Sequence, residues 1–200
     1  MAVRGWAAVP LLLVGLAMPM AARAADPGPR IEAARQAWQR GDVARTAKEL
    51  EAALIELQSR LGKAFSESMP APPGGWHAED AEIQGLGAVG GGLAVTRAYE
   101  SNDSTMNASL IMDSPAVEAA AALLANEAAT NALPNVRRLK TGGEDALIRW
   151  DGSTRAGEIT MVLGGRILLE IQGDNLKSAD ILADTAKGWN IAAIRKAAGL

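Results

Sequence analysis

Residues 69–75, Met-Pro-Ala-Pro-Pro-Gly-Gly, constrain this chain more than any other stretch, because no helix or central strand can run through them. Each proline lacks an amide donor and pushes the residue before it out of the helical region. The patterning on the two sides differs. Before the break apolar residues recur at helical spacing; after it they alternate along strands. Residues 69–75 therefore read as a semi-rigid spacer between a helical hairpin at 25–68 and a sheet domain at 76–200.

In the front segment Ile31, Ala34 and Trp38 fall on one helical face. Gly41 breaks the pattern and Asp42 is placed to cap a second helix. From there Val43, Ala47, Leu50, Leu54, Leu57 and Leu61 step by fours and threes, an apolar stripe of nearly three heptads. Arg45, Lys48, Glu49, Glu56 and Arg60 lie opposite, with Glu56 and Arg60 spaced for an i,i+4 pair. The stripe has two readings. It can pack as core against the first helix or the back domain, which is the usual fate of such stripes and the expectation here. Alternatively Val43, Leu50, Leu54, Leu57 and Leu61 form a surface for a partner or a second copy.

The run Ala37-Trp38-Gln39-Arg40-Gly41-Asp42, followed by Val43, Ala44, Leu50 and Ala53, resembles one tetratricopeptide-type helix-turn-helix. The resemblance covers about one repeat length, with Thr46 where the family usually has alanine and no second copy in the chain. It implies a single hairpin docked on something else, because one repeat cannot bury its face alone.

The back segment begins with Trp76, an anchor for the sheet, and His77, the single histidine, which reads as part of a surface turn. The tract Gly85-Leu86-Gly87-Ala88-Val89-Gly90 spells the dinucleotide-binding fingerprint. That motif needs a buried strand before it and a helix after it. Here an acidic stretch precedes it and a strand beginning at Leu93 follows, so the tract reads as a loop or a bulged strand edge.

Strands are expected at residues 93–99 and 105–112, then a helix capped by Ser114 with Pro115 in its first turn, running to about Ala129. Further strands cover Val136 to Lys140, Ala146 to Trp150, Glu158 to Leu163 and Ile167 to Gln172. Counting Arg166 with Gly164 and Gly165 in the last hairpin loop keeps both apolar sets on one face. That register sets Glu170 opposite Thr160 and Glu158 opposite Gln172. A closing helix is expected over residues 175–187. The fold class is thus α+β: the hairpin, then an antiparallel sheet in the order β-β-α-β-β-β-β-α with its two helices on one face. This order and the tryptophan-led start resemble the PsbP-like sandwich. They also resemble short proteobacterial periplasmic proteins that join a helical hairpin to such a domain. The resemblance implies a binding or accessory role without a catalytic motif.

Several chemistries lack their residues. No cysteine is present, which excludes disulfides and thiolate chemistry. The net charge of −3 and the lack of a basic block argue against a nucleic-acid partner. No catalytic set, metal-ligand spacing or cofactor motif is recognisable. Residues 1–24 read as a signal peptide, with Arg4 before an apolar run at 6–17 and Ala22-Arg23-Ala24 as cleavage site; the run is short for a membrane span. No later stretch approaches transmembrane length. The expectation is a periplasmic, non-catalytic binding or accessory protein engaging another envelope protein or itself. The alternative is a small-molecule binder or weak hydrolase with a pocket between sheet and helices built from Arg97, Arg149 and Trp150.

Overall fold

The computed structural model describes residues 26–200, so the expected signal peptide lies outside the described residues. The helical front is a pair, α1 (Gly28–Gln39) and α2 (Val43–Ser66). Asp42 caps α2 as its spacing implies, accepting from the Arg45 amide at 3.0 Å.

The rest is a sheet of eight strands with helices: β1 (His77–Ala78), β2 (Glu82–Gly85), β3 (Leu93–Ser101), β4 (Ser104–Met112), α3 (Pro115–Ala125), α4 (Glu127–Ala132), β5 (Val136–Thr141), β6 (Glu144–Asp151), β7 (Ala156–Leu163), β8 (Ile167–Asp174), α5 (Asp180–Ala186) and α6 (Ile191–Ala198). Every pairing is antiparallel, in the spatial order β3-β4-β8-β7-β6-β5. The edge beyond β3 is shared by β1 and β2. Register follows from which residues must be buried. Val95, Leu110, Leu169, Met161 and Ala146 are direct neighbours across five strands, and all five are inaccessible to solvent.

The last hairpin closes as expected, with Leu163 opposite Ile167 and residues 164–166 in the loop. Glu170 faces Thr160 and Glu158 faces Gln172. Arg166 leaves that loop to grip Asp113 with two hydrogen bonds, at 2.9 and 2.7 Å.

Four expectations need correction. The acidic stretch before the glycine tract is not plain turn: His77–Ala78 and Glu82–Gly85 are edge strands, exposed enough to tolerate their charges. The first sheet helix stops at Ala125, where Asn126 leaves helical geometry, and α4 restarts at Glu127. The closing helix begins only at Asp180. Asn175 is left-handed (φ 54°) and the Leu176 amide donates to the Arg155 carbonyl at 2.9 Å, so Leu176 enters the core from a loop. Finally, the helices do not share one face. α2, α5 and α6 cover the face carrying Val95 and Leu169, while α3 lies on the opposite face, where Leu147 and Leu168 are buried.

The proline stretch is a seam sewn onto the sheet. Met69 and Pro70 are buried, and the Pro70 carbonyl accepts from the buried Tyr99 hydroxyl at 2.7 Å. The Asn190 amide donates to the Ser68 carbonyl at 3.0 Å. The hairpin is thereby held on the sheet through its second helix.

Candidate docking face

A helix advances 100° per residue, so the burial of each α2 residue shows which direction its neighbours occupy. Thr46, Glu49, Ala53 and Glu56 point toward α1. Ala34 and Ala37 are the buried small residues that let α1 come close. Arg30 ties the pair, 3.1 Å from Glu49 and 3.6 Å from Glu56, while Arg60 reaches Asp26 at 3.8 Å. The α1–α2 contact is thus built from alanine and charge.

The leucine stripe lies about a quarter-turn away and divides into two parts. At its C-terminal end Leu61 packs against the core and Phe65 is fully buried. There Gly62 lets the helix settle onto β2, because a Cβ at this position would overlap Ile83 Cγ2 and come within 2.9 Å of its Cδ1. Toward the N-terminus the sheet ends and the same stripe continues into solvent: Val43 is 64% exposed, Leu50 51%, Leu54 53% and Leu57 40%. The expectation that the stripe packs as core therefore holds only for Leu61. Ala34 and Ala37 fix the orientation of α1, and by the same geometry Ile31 and Trp38 fall on the side of the hairpin that bears the stripe; they are 49% and 65% exposed. The result is one apolar face formed by both helices. Trp38 and Ile31 belong to it, although the stripe alone did not point to them.

Charges border this face. Glu32 accepts from Arg35 at 2.7 and 2.8 Å and from Gln36 at 2.9 Å. These bonds, Arg35 first, hold the Glu32 carboxyl down at about 2.

Arg97, Arg149 and Trp150 do not converge on a pocket. Arg97 and Trp150 share the helix-covered face but lie on β3 and β6, four strand spacings or about 19 Å apart. Arg97 donates to the Ser66 carbonyl at 3.2 Å, a cation at the C-terminus of α2. Trp150 packs against the core. Arg149, one residue along the strand, points to the opposite face and pairs with Glu158 at 3.0 Å.

A cleft of about 690 Å³ lies elsewhere, between the proline seam, the β3–β4 turn and α5. Trp76 and Ile181 give it an apolar wall and Lys177 a charge, while Arg155 on its rim is committed to the carbonyls of Leu176 and Asn175. The glycine tract makes the β2–β3 connection, with a single 3-10 turn at Gly87–Val89. Gly90, Gly91 and Gly92 all have positive φ, and a Cβ on Gly92 would overlap the Met112 carbonyl. No helix starts there to receive a phosphate. Among the described residues no cluster of three His, Asp or Glu side chains is arranged to hold a metal ion, and no helix is long and apolar enough to cross a membrane. Comparison of the chain with known protein families, with curated proteins and with solved structures finds no match.

Proposed function

We propose that this chain is an exported, non-catalytic binding or accessory protein of the bacterial envelope, and that its working surface is the apolar face of the α1–α2 hairpin. The observation that carries the reading is the division of the leucine stripe. Its last residue, Leu61, packs against the core, yet Val43, Leu50, Leu54 and Leu57 lie in solvent beside Ile31 and Trp38. Large apolar side chains grouped on a surface mark a site of protein contact. The hairpin is fixed to the sheet through Phe65, Met69 and Pro70, so it presents this face rigidly.

Export is tested by fractionating cells that express the whole chain and sequencing the N-terminus of the periplasmic protein. A start at Ala25 supports the reading, and a cytoplasmic protein that keeps Met1 refutes it. Docking is tested with Leu54→Glu, which leaves the core intact. Loss of cross-linking to a protein partner in the envelope, with an unchanged melting temperature, supports the assignment. Undiminished cross-linking refutes it.

A second reading, small-molecule binding, is favoured by the 690 Å³ cleft with its Trp76 and Ile181 wall. A rise in melting temperature with an aromatic carboxylate, lost in Trp76→Ala, would support that reading.

A further inference from the structure

We infer that the cleft between the proline seam, the β3–β4 turn and α5 takes a short apolar peptide with free ends. Its side chains lie on Trp76 and Ile181, its carboxylate at Lys177 and its ammonium at Asp103. The inference rests on the small-molecule reading of this cleft and names the class of ligand.

The walls of the cleft are fixed before any ligand arrives. β3 and β4 are joined by Asn102 and Asp103 alone, because Ser101 pairs with Ser104, and a two-residue turn has little freedom. The Ser101 hydroxyl donates to the Gly75 carbonyl at 3.0 Å, which ties this turn to the loop carrying Trp76. On the other side the Ser104 hydroxyl donates to the Asn175 carbonyl at 2.8 Å, and the Asn175 side-chain amide donates to the Asp103 carbonyl at 3.0 Å. Arg155 clamps the carbonyls of Asn175 and Leu176 at 2.9 and 3.0 Å. A ligand therefore meets a preorganised cleft and binds without the cost of ordering its walls.

The charges decide the ligand class. Arg155 and Lys177 line the cleft together with Asp103 and Asp184, so the two signs balance and a lone anion gains little from the cleft as a whole. Arg155 is occupied by the two carbonyls, and Asp184 by Lys187 at 2.7 Å. Among the described residues, the Lys177 ammonium and the Asp103 carboxylate have no hydrogen bond or ion pair. They flank one junction, since Asp103 is bonded to Asn175, two residues before Lys177. Opposite charges that are neighbours yet unpaired complement a ligand carrying both signs. Trp76 and Ile181, each half-buried against the core, complement its apolar side chains. A volume of about 690 Å³ suits a drug-sized ligand, which for a zwitterion is a di- or tripeptide and not a free amino acid.

The test is calorimetric titration of the purified protein with the dipeptide leucyl-phenylalanine, its N-acetyl form and its C-terminal amide. Neither the Asp103 nor the Lys177 side chain holds the fold, so Asp103→Asn and Lys177→Gln are expected to melt as wild type does. N-acetylation is expected to weaken binding to wild type about 10-fold and to leave binding to Asp103→Asn unchanged. Amidation is expected to weaken binding to wild type about 10-fold and to leave binding to Lys177→Gln unchanged. Free phenylalanine is expected to bind at least about 10-fold more weakly than the dipeptide. A loss on N-acetylation that is equal in wild type and Asp103→Asn would overturn the placing of the ammonium. Phenylalanine binding as tightly as the dipeptide would overturn the peptide assignment. If the N-acetyl form bound as tightly as the dipeptide, or an aromatic carboxylate bound where the dipeptide did not, the zwitterion would be refuted and the small-molecule reading would survive. If neither the dipeptide nor an aromatic carboxylate bound, both would fall.

Discussion

Replacing Gly62 by alanine is expected to destabilise this protein even though the residue lies inside a helix. Glycine in a helix interior costs about 1 kcal/mol relative to alanine, so the substitution gains that much in isolation. Here the new methyl would overlap Cγ2 of Ile83 and approach its Cδ1 to 2.9 Å and Cγ1 to 3.0 Å. Cγ2 is bonded to Cβ and cannot swing clear without rotating the whole side chain. The Ile83 backbone is fixed by pairing with Val95. Relief must come from an unfavourable Ile83 rotamer or from lifting α2, which would also pull Leu61 and Phe65 from the core. Overpacking of this kind costs about 1–3 kcal/mol, leaving a net loss of about 1 kcal/mol. In an Ile83→Ala background the obstruction is gone and the helix preference remains, so Gly62→Ala should then stabilise by about 1 kcal/mol. The coupling of about 2 kcal/mol can be read from urea unfolding of the four variants, with m checked for constancy. If Gly62→Ala stabilises both backgrounds alike, to within about 0.5 kcal/mol, the seating of α2 on β2 described here is wrong.

Three further outcomes test other parts of the molecule. Tyr99 is the single tyrosine and its burial pushes its pKa above 10; folding stability should hold below pH 10 and fall as the pH rises above it, and an ultraviolet titration with a midpoint at or below 10 would contradict this. Tyr99→Phe removes the hydroxyl that holds the Pro70 carbonyl and should cost about 1–2 kcal/mol by urea melt, with the loss concentrated in amide exchange protection around the seam. On the exposed rim, Glu32 has a folded pKa lowered to about 2, so its contribution is present above the ordinary value of 4.5 and lost as the pH falls toward 2; its carboxyl carbon should titrate by NMR near 2, moving toward 4.5 in Arg35→Gln.

How much of this could be read from residues alone depended on whether the governing interaction was local. The Asp42 cap, the residue 164–166 loop and the facing of Glu158 by Gln172 follow from spacing and from keeping apolar sets on one face, so they were legible. The break at Asn126 was not, because the alanine-rich run continues to satisfy helical propensity on both sides of it. Leu176 fits a helical pattern, yet its amide is taken by the Arg155 carbonyl, a contact 21 residues away in sequence. The leucine stripe is the sharpest case. Periodicity shows that six residues share a face but cannot show where the sheet beneath them stops. The exposed apolar face is a property of that boundary, set by the seating of Gly62 on Ile83. The dispersal of Arg97, Arg149 and Trp150 has the same origin: neighbours in sequence alternate faces, and β3 and β6 are separated by three intervening strands.

The two borders of the sheet bear on what this protein can build. A long open strand edge invites further strands from other molecules. Here one edge is cut into His77–Ala78 and Glu82–Gly85 with an interruption between, and the other, β5, carries Arg137, Arg138 and Lys140 within six residues. Neither offers a long uncharged template, so polymerisation by strand addition is blocked at both ends of the sheet. Growth into fibres by edge-to-edge pairing is thereby disfavoured.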